Sequence, residues 1–399
     1  MNKSILSFVL SLVSFLGCME LSAQKFEQIA RTPPMGWNSW NRFNCDINEN
    51  IIRGIADAMA SNGMKEAGYE YVVIDDCWHG ERDSLGFIQP NPKTFPSGMK
   101  ALADYIHSKG LKFGIYSSIG EKTCQGRSGS GGREYQDAIQ YAKWGVDYLK
   151  YDGCSPVNCH PEGAIRTISN ALKEAGRPVV LSVSPFGEPW TWAENTVHMW
   201  RMSSDIMNCF DCQKGYGNWF KLGVLQILDE THKYRRYVKP GFWMDVEMLQ
   251  VGNGLTESQN KAHFSIWAIL AAPLMAGNDL REMDERTLKI LTEKEVISID
   301  QDAAGISGFR YMKVKDLETW VKPLAKGEWA ICFLNRGSDP QKHEIDWEEM
   351  FNAKIGMKKR TYSVRNIWEK NDLGTTKNKL TVNVQAEDVV LLRIKPISD

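Results

Sequence analysis

The 399-residue sequence is poor in the features that mark membrane, nucleic-acid and metal proteins. Beyond its first two dozen residues, no apolar run approaches the roughly 20 residues that a spanning helix needs, so no membrane span is expected in the mature chain. Charge of one sign is also lacking. The 48 Lys and Arg and 49 Asp and Glu are interspersed and leave a formal net charge of -1, so no sustained field draws a phosphate backbone or an anionic lipid surface. No nucleic-acid partner is expected, and a neutral one fits better. The seven His are scattered, and Cys209 and Cys212, a lone C-x-x-C, have neither a second such pair nor histidines at ligand spacing. No metal or other cofactor is therefore expected. A glycine-rich phosphate cradle, an exposed nucleophilic Ser motif, internal repeats and low-complexity linkers are absent from the sequence as well.

What is present reads as an exported globular protein. Hydrophobic residues make up 43% and charged residues 24%, enough for a large domain with a sizeable core and a smaller one beside it. Lys3 precedes the apolar stretch 5–16, and the small residues Ser22 and Ala23 follow, which predicts an export signal over 1–23 and a periplasmic or secreted mature chain. A second cut, at Phe15-Leu16-Gly17-Cys18, loosely resembles a lipoprotein processing site that would anchor the chain through Cys18. Export permits disulfides, and removing Cys18 leaves eight of the nine cysteines. The fourteen Trp and thirteen Tyr offer flat faces that suit sugar rings as well as they suit a core. No oligomeric state is read from the sequence.

From residue 30 to about 300, short β-rich runs alternate with helical patterns, the signature of repeated βα units. Eight strands are predicted, in the segments 35–40, 69–75, 111–117, 148–152, 178–184, 198–204, 241–248 and 273–279. Between them Met99, Leu102, Ala103 and Ile106 recur at helical spacing with Gly110 as a stop, and Ile165, Ile168 and Leu172 follow Pro161. Thr256 with Gln259 reads as a capping box ahead of Phe264, Trp267, Ala268 and Ala271. Eight βα units in this length fit a (β/α)8 TIM barrel over 24–304, with a doubly wound open sheet as the competing architecture. The barrel is favoured because Asp75, Asp76, Ser117, Ser118, Asp152, Ser184, Asp205, Glu247, Asn278 and Asp279 fall at predicted strand ends, which a barrel gathers at one mouth. Beyond residue 304 strands follow without helices, and Leu380, Val382 and Val384 alternate with polar residues. This predicts a C-terminal antiparallel β-sandwich over 305–399.

Two strand-end carboxylates, Asp152 and Asp205, suit hydrolysis of a glycosidic bond with retention. One ionised carboxylate attacks the anomeric carbon while the other protonates the departing oxygen and later activates water. Lys150, two positions before Asp152 on the same strand face, can hold that carboxylate ionised, and a purely structural Lys150–Asp152 ion pair is the plainer alternative. Arg201 stands four positions before Asp205. The pattern alone leaves open which carboxylate attacks. Asp75 and Asp76 have two further readings, as caps of a following helix or as part of a divalent-metal site. Trp40 and Tyr116 have one as core residues. A barrel isomerase or aldolase would need a phosphate site or a Schiff-base lysine, for which Lys150 at its strand end is the candidate.

The segments RTPPMGWNSWNRFNC (31–45), AGYEYVVIDDCW (67–78), SKGLKFGIYS (108–117), KTCQGRSGS (122–130), WGVDYLKYDGC (144–154), WRMSSDI (200–206) and WAILAAPLMAGNDLR (267–281) resemble, in order, the alpha-galactosidases of glycoside hydrolase family 27. The resemblance covers nearly the whole predicted barrel. It implies Asp152 as nucleophile and Asp205 as acid/base, Asp75 and Asp76 as acceptors for the galactose 4- and 6-hydroxyls, and Trp40 as an aromatic wall. Tyr116, Lys150 and Arg201 match further pocket contacts, Cys124 with Cys154 a disulfide at the rim, and Cys45 with Cys77 a second. The expected partner is a carbohydrate bearing terminal galactose. Two departures bear on substrate: Ser184-Pro185-Phe186-Gly187 replaces the usual Cys-Glu-Trp-Gly that reads the sugar's 2-position, and Glu247 stands where an Asp usually precedes Met248. Relatives with the same dyad that remove N-acetylgalactosamine, L-arabinopyranose or glucose-containing units are therefore the nearest alternatives. Asp76 favours a sugar with a 6-hydroxyl, because a pentopyranose leaves that carboxylate unpaired. A sugar receptor that has lost catalysis is the alternative of a different class, and the presence of both carboxylates argues against it.

Overall fold

The computed structural model describes residues 25–155, 159–217 and 219–397, so the predicted export signal and Cys18 lie outside the described residues. All eight predicted barrel strands form, β3 and β4 at their full predicted length and the other six shorter than their sequence patterns: β1 Met35–Asn38, β2 Tyr71–Val73, β3 Lys112–Ser118, β4 Tyr148–Asp152, β5 Val180–Val183, β6 Met199–Arg201, β7 Trp243–Asp245 and β8 Leu274–Ala276. They pair in parallel in the order β7-β6-β5-β4-β3-β2-β1-β8. The ends of this curled sheet meet through the parallel bridge Leu249–Ala276 rather than a full ladder. The fold is thus a TIM barrel and not an open doubly wound sheet.

The period-2 alternation of each strand explains where the charged residues go. Tyr71 and Val73, Tyr148, Val180, Met199, Trp243 and Met275 pack together in one cluster, inside the barrel. Their neighbours Val72, Leu149, Tyr151, Leu181, Trp200 and Met244 belong to the larger core under the surrounding helices. Continuing the inner parity toward the strands' C-terminal ends gives Asp75 just beyond β2, Lys150 and Asp152 on β4, and Arg201 on β6. Apolar residues thus floor the barrel, and charged residues form the layer above them.

The helices follow the predicted stripes. Met99, Leu102, Ala103 and Ile106 are fully buried along Gly98–Ser108, and each large aliphatic side chain so buried contributes about 1.5–3 kcal/mol. The reciprocal Thr256–Gln259 capping box opens the helix Glu257–Leu270.

After the last barrel helix, Lys294–Asp300, the chain builds a six-stranded antiparallel sheet beginning with Phe309–Val314. A two-stranded sheet, Gln341–Ile345 with Leu380–Val384, packs with it, and Val382 and Val384 are buried between exposed Thr381 and Asn383 as the alternation requires. The expectation of strands without helices needs one correction, a short helix Trp347–Asn352 capped by Asp346. This domain docks directly on the barrel: Trp320, Ala330, Cys332, Leu334, Val389 and Leu391 join the barrel's core. Lys322, buried at that junction, donates to the Ala268 and Ile299 carbonyls at 2.9 and 2.6 Å, which lie in the last turns of two barrel helices. Among the described residues no helix is long and apolar enough to cross a membrane.

Candidate active site

Above the charged layer lies a cavity of about 920 Å³ at the C-terminal ends of the strands. Of the residues singled out from the sequence, Trp40, Asp75, Asp76, Tyr116, Cys124, Lys150, Asp152, Cys154, Arg201 and Asp205 all line it. Glu247 does not. It stands behind Arg201, whose Nη1 meets its Oε1 at 2.6 Å. Cys124–Cys154 and Cys45–Cys77 are disulfide-bonded. So are Cys209 and Cys212, the C-x-x-C weighed above as a metal motif. Cys124, Asp152 and Cys154 lie close enough to share an ion, but their sulfurs are spent on each other.

Asp152 closes β4 with both carboxylate oxygens engaged. Oδ2 accepts from the Tyr116 hydroxyl at 2.9 Å, and Oδ1 accepts from the Gly153 amide at 2.8 Å and from the Ser184 hydroxyl. Burial and the neighbouring Asp152 push the Tyr116 phenol far up, so it remains a donor. Hydrogen bonds of this kind fix the direction in which the carboxylate points.

The predicted Lys150–Asp152 ion pair does not form. Lys150 reaches across to β2 and bonds Asp75 Oδ2 at 2.8 Å, an oxygen that also accepts from Asn38 Nδ2 at 2.8 Å. Burial works against the Lys150 charge, yet Asp75 and then Asp152 outweigh it and hold the ammonium protonated. Asp75 therefore takes the close contact and Asp152 only the longer-range field. The helix-cap reading of Asp75 and Asp76 fails too, because the next element is the short strand His79–Arg82. Asp76 instead accepts from the amides of Cys77 at 2.6 Å and Gln125 at 3.0 Å, tying β2 to the disulfide-bearing loop, and burial raises its pKa. Tyr116 is buried as the plainer reading held, but its hydroxyl serves the cavity; Trp40 is only partly covered.

Arg201 bridges two carboxylates, Asp205 Oδ1 at 2.6 Å and Glu247 Oε1 at 2.6 Å. Glu247 is 4% exposed, and burial, offset by Arg201 and reinforced by Asp205, pushes it up to about 7. Asp205 moves the other way: burial would raise it, but Arg201 and Lys150 hold it below the usual carboxylate range. Burial thus favours the protonated form of Glu247 while Arg201 favours ionised Asp205, and the two carboxylates titrate as one coupled pair.

The sequence reading missed several lining or supporting groups. Asn38 orients Asp75, and its place at the end of β1 was the available signal. Ser184, in the sequence a strand end and a departure from the family pattern, bonds Asp152. The hairpin Gln213–Tyr216 with Trp219–Leu222, not predicted at all, adds Tyr216, Trp219 and Lys221 to the cavity. Its signal was the Gly217-Asn218 dipeptide between two aromatic runs.

Known proteins bear on this arrangement. The alpha galactosidase A family model matches residues 32–302, and the alpha galactosidase C-terminal beta sandwich domain model matches residues 314–394. The chain is 49% identical over 404 residues to alpha-galactosidase A of Cellvibrio japonicus, covering 99% of this chain and 100% of that protein. Among solved structures it is similar to alpha-galactosidase I from Mortierella vinacea, with a TM-score of 0.87 at 35% identity over 93% of this chain and 98% of the other. It is similar also to the Saccharomyces cerevisiae enzyme solved with raffinose, with a TM-score of 0.88 at 29% identity over 93% and 99%. A barrel with an acid-lined mouth, a docked sandwich and matches spanning both domains leave one assignment: the chain is a glycoside hydrolase and belongs to the alpha-galactosidase family, glycoside hydrolase family 27.

Proposed function

We propose that this enzyme is an exo-acting, retaining alpha-galactosidase that releases terminal alpha-D-galactose from oligo- or polysaccharides. The observation that carries the reading is that Asp152, oriented by Tyr116 and Ser184, and Asp205, held by Arg201, line one cavity of sugar size. Asp152 attacks the anomeric carbon as the bond to the leaving oxygen breaks, and Asp205 gives that oxygen a proton. Asp205 then takes a proton from the water that opens the glycosyl ester, and two inversions sum to retention. Galactose is favoured because Asp75, Asp76 and Lys150 lie together in the cavity, a cluster of donors and acceptors for hydroxyls, and because the relatives are alpha-galactosidases. Pro185 and Phe186 line the cavity where the family usually has a carboxylate, and their side chains carry no hydrogen-bonding group. Three disulfides among the described residues support an exported location.

An aryl alpha-galactoside is the expected substrate in a panel that includes an aryl beta-L-arabinopyranoside and an aryl alpha-N-acetylgalactosaminide. Asp76→Ala lowers kcat/KM for the galactoside by about 10- to 100-fold. It costs the arabinopyranoside, which has no 6-hydroxyl, much less. Turnover of either alternative in preference to the galactoside overturns the substrate assignment.

One proton held between Glu247 and Asp205, the two carboxylates that Arg201 bridges, sets the pH dependence. Turnover needs that proton, so kcat/KM for an oligosaccharide falls as pH rises through about 7, where Glu247 ionises. In wild type the ionised Glu247 then raises the proton affinity of Asp205. Glu247→Gln removes that repulsion while Arg201 still favours ionised Asp205, so the alkaline limb moves to lower pH. A limb that stays in place shows that Glu247 does not share the proton.

A further inference from the structure

We propose that the hairpin Gln213–Tyr216 with Trp219–Leu222 is the binding site for the sugar on the leaving-group side of the bond, a neutral hexopyranose unit of an oligosaccharide chain. This rests on the alpha-galactosidase reading and extends it from the galactose to what the galactose is attached to.

The hairpin is placed by Asp205 itself. Leu222 N donates to the Asp205 carbonyl at 2.9 Å, and Ile206 bridges Leu222, so the loop is a direct continuation of the backbone that carries the proposed acid. An acid must lie within hydrogen-bond reach of the oxygen it protonates, so the leaving group emerges on the Asp205 side. The hairpin stands there.

Its antiparallel register sorts the side chains. Tyr216 is opposite Trp219, and Lys214 is opposite Lys221, which places these four on one face, while Phe220 and Leu222 belong to the other. Tyr216, Trp219 and Lys221 line the cavity shared by Asp152 and Asp205. The two rings stack at 5.1 Å and 24°, with 38% and 46% of their surface exposed, so a broad aromatic surface is left facing solvent at the mouth. Such surface is costly without an occupant, and the apolar face of a pyranose fits it. The like-charged Lys214 and Lys221 directly opposite each other are also unfavourable for the hairpin alone. Their ammonium groups sit 5.3 and 5.9 Å from the Tyr216 ring centre, where they can donate to hydroxyls of a stacked sugar.

The cleft also continues past the hairpin. A second hollow of about 760 Å³ shares Trp40, Asn44, Tyr216 and Lys221 with the first, and adds the amides of Asn208 and Asn253. At the hairpin's base the Cys209–Cys212 disulfide and the Gly223 N bond to the Cys212 carbonyl, 2.7 Å, tie both strands to the chain leading into the helix Val224–Glu230. The platform is thus anchored at its base.

The test compares two substrates with the same galactose. Alpha-galactosyl fluoride carries no sugar on the leaving side, whereas melibiose and a galactosylated mannotriose do. Trp219→Ala is expected to lower the ratio of kcat/KM for the oligosaccharides to that for the fluoride about tenfold. Phe220→Ala, on the opposite face, leaves that ratio as it is in wild type. Cys209→Ser with Cys212→Ser lowers it as Trp219→Ala does. An unchanged ratio in Trp219→Ala, or an equal fall in Phe220→Ala, overturns the inference while leaving the galactosidase reading intact. Failure of the wild-type enzyme to turn over any of the three substrates overturns that reading, and this inference with it.

Discussion

Asp152→Gly is expected to lose at least ~10⁴-fold in turnover of an aryl alpha-galactoside, and to recover part of it in azide with beta-galactosyl azide as the product. Removing the side chain leaves a space beside the anomeric carbon where a small anion can take the carboxylate's place. A single displacement then inverts the centre, and no ester remains to be opened. Asp205→Gly gives the opposite stereochemistry. An activated aryl leaving group departs without the acid, the galactosyl ester on Asp152 still forms, and azide opens it from the face the leaving group vacated, producing alpha-galactosyl azide. The two products are distinguished by the anomeric coupling constant. Because Asp152 and Asp205 line the same cavity but hang on different networks, Tyr116 and Ser184 for the first and Arg201 for the second, each can be removed without dismantling the other. If Asp152→Gly yields the alpha azide, the two roles are exchanged; if neither variant loses activity, the dyad lies elsewhere.

The barrel was legible because its signals are local and repeated. A strand of three to seven residues still shows its apolar run, and the acids that close the strands mark the mouth, so the architecture and most of the cavity lining could be placed from the sequence. What could not be read was which neighbour each charged group would choose. Lys150 and Asp152 share a strand face in the sequence, yet the curl of the sheet brings Asp75 of β2 to the ammonium, and a pairing across strands leaves no local trace. Arg201 likewise was matched with Asp205, whereas its second partner, Glu247, lies 46 positions away beyond β7. The hairpin beside Asp205 escaped notice for a different reason. Its strands are mostly exposed, so the inside-outside alternation that reveals a buried strand is missing there.

The cross-strand pairing of Lys150 with Asp75 leads to the second large effect. Lys150→Met is expected to cost about 3–5 kcal/mol, far more than a surface ion pair, because it strands an ionised carboxylate with 3% side-chain exposure among the barrel's inner residues. Asn38 can still donate to Asp75, but a neutral amide does not replace the ammonium. Adding Asp75→Asn removes the orphaned charge, and with Met filling the space of the Lys stem the double variant should regain more than half of the lost melting temperature. Activity is not expected to follow stability. The double variant lacks both the acceptor and the cation proposed to hold the galactose hydroxyls, and it is expected to stay inactive while folded. Measuring melting and aryl alpha-galactoside turnover on the single and double variants therefore separates the two roles of the pair. If the double variant melts no higher than Lys150→Met, the charge on Asp75 is already relieved by water entering the cavity, and the pair contributes to binding alone.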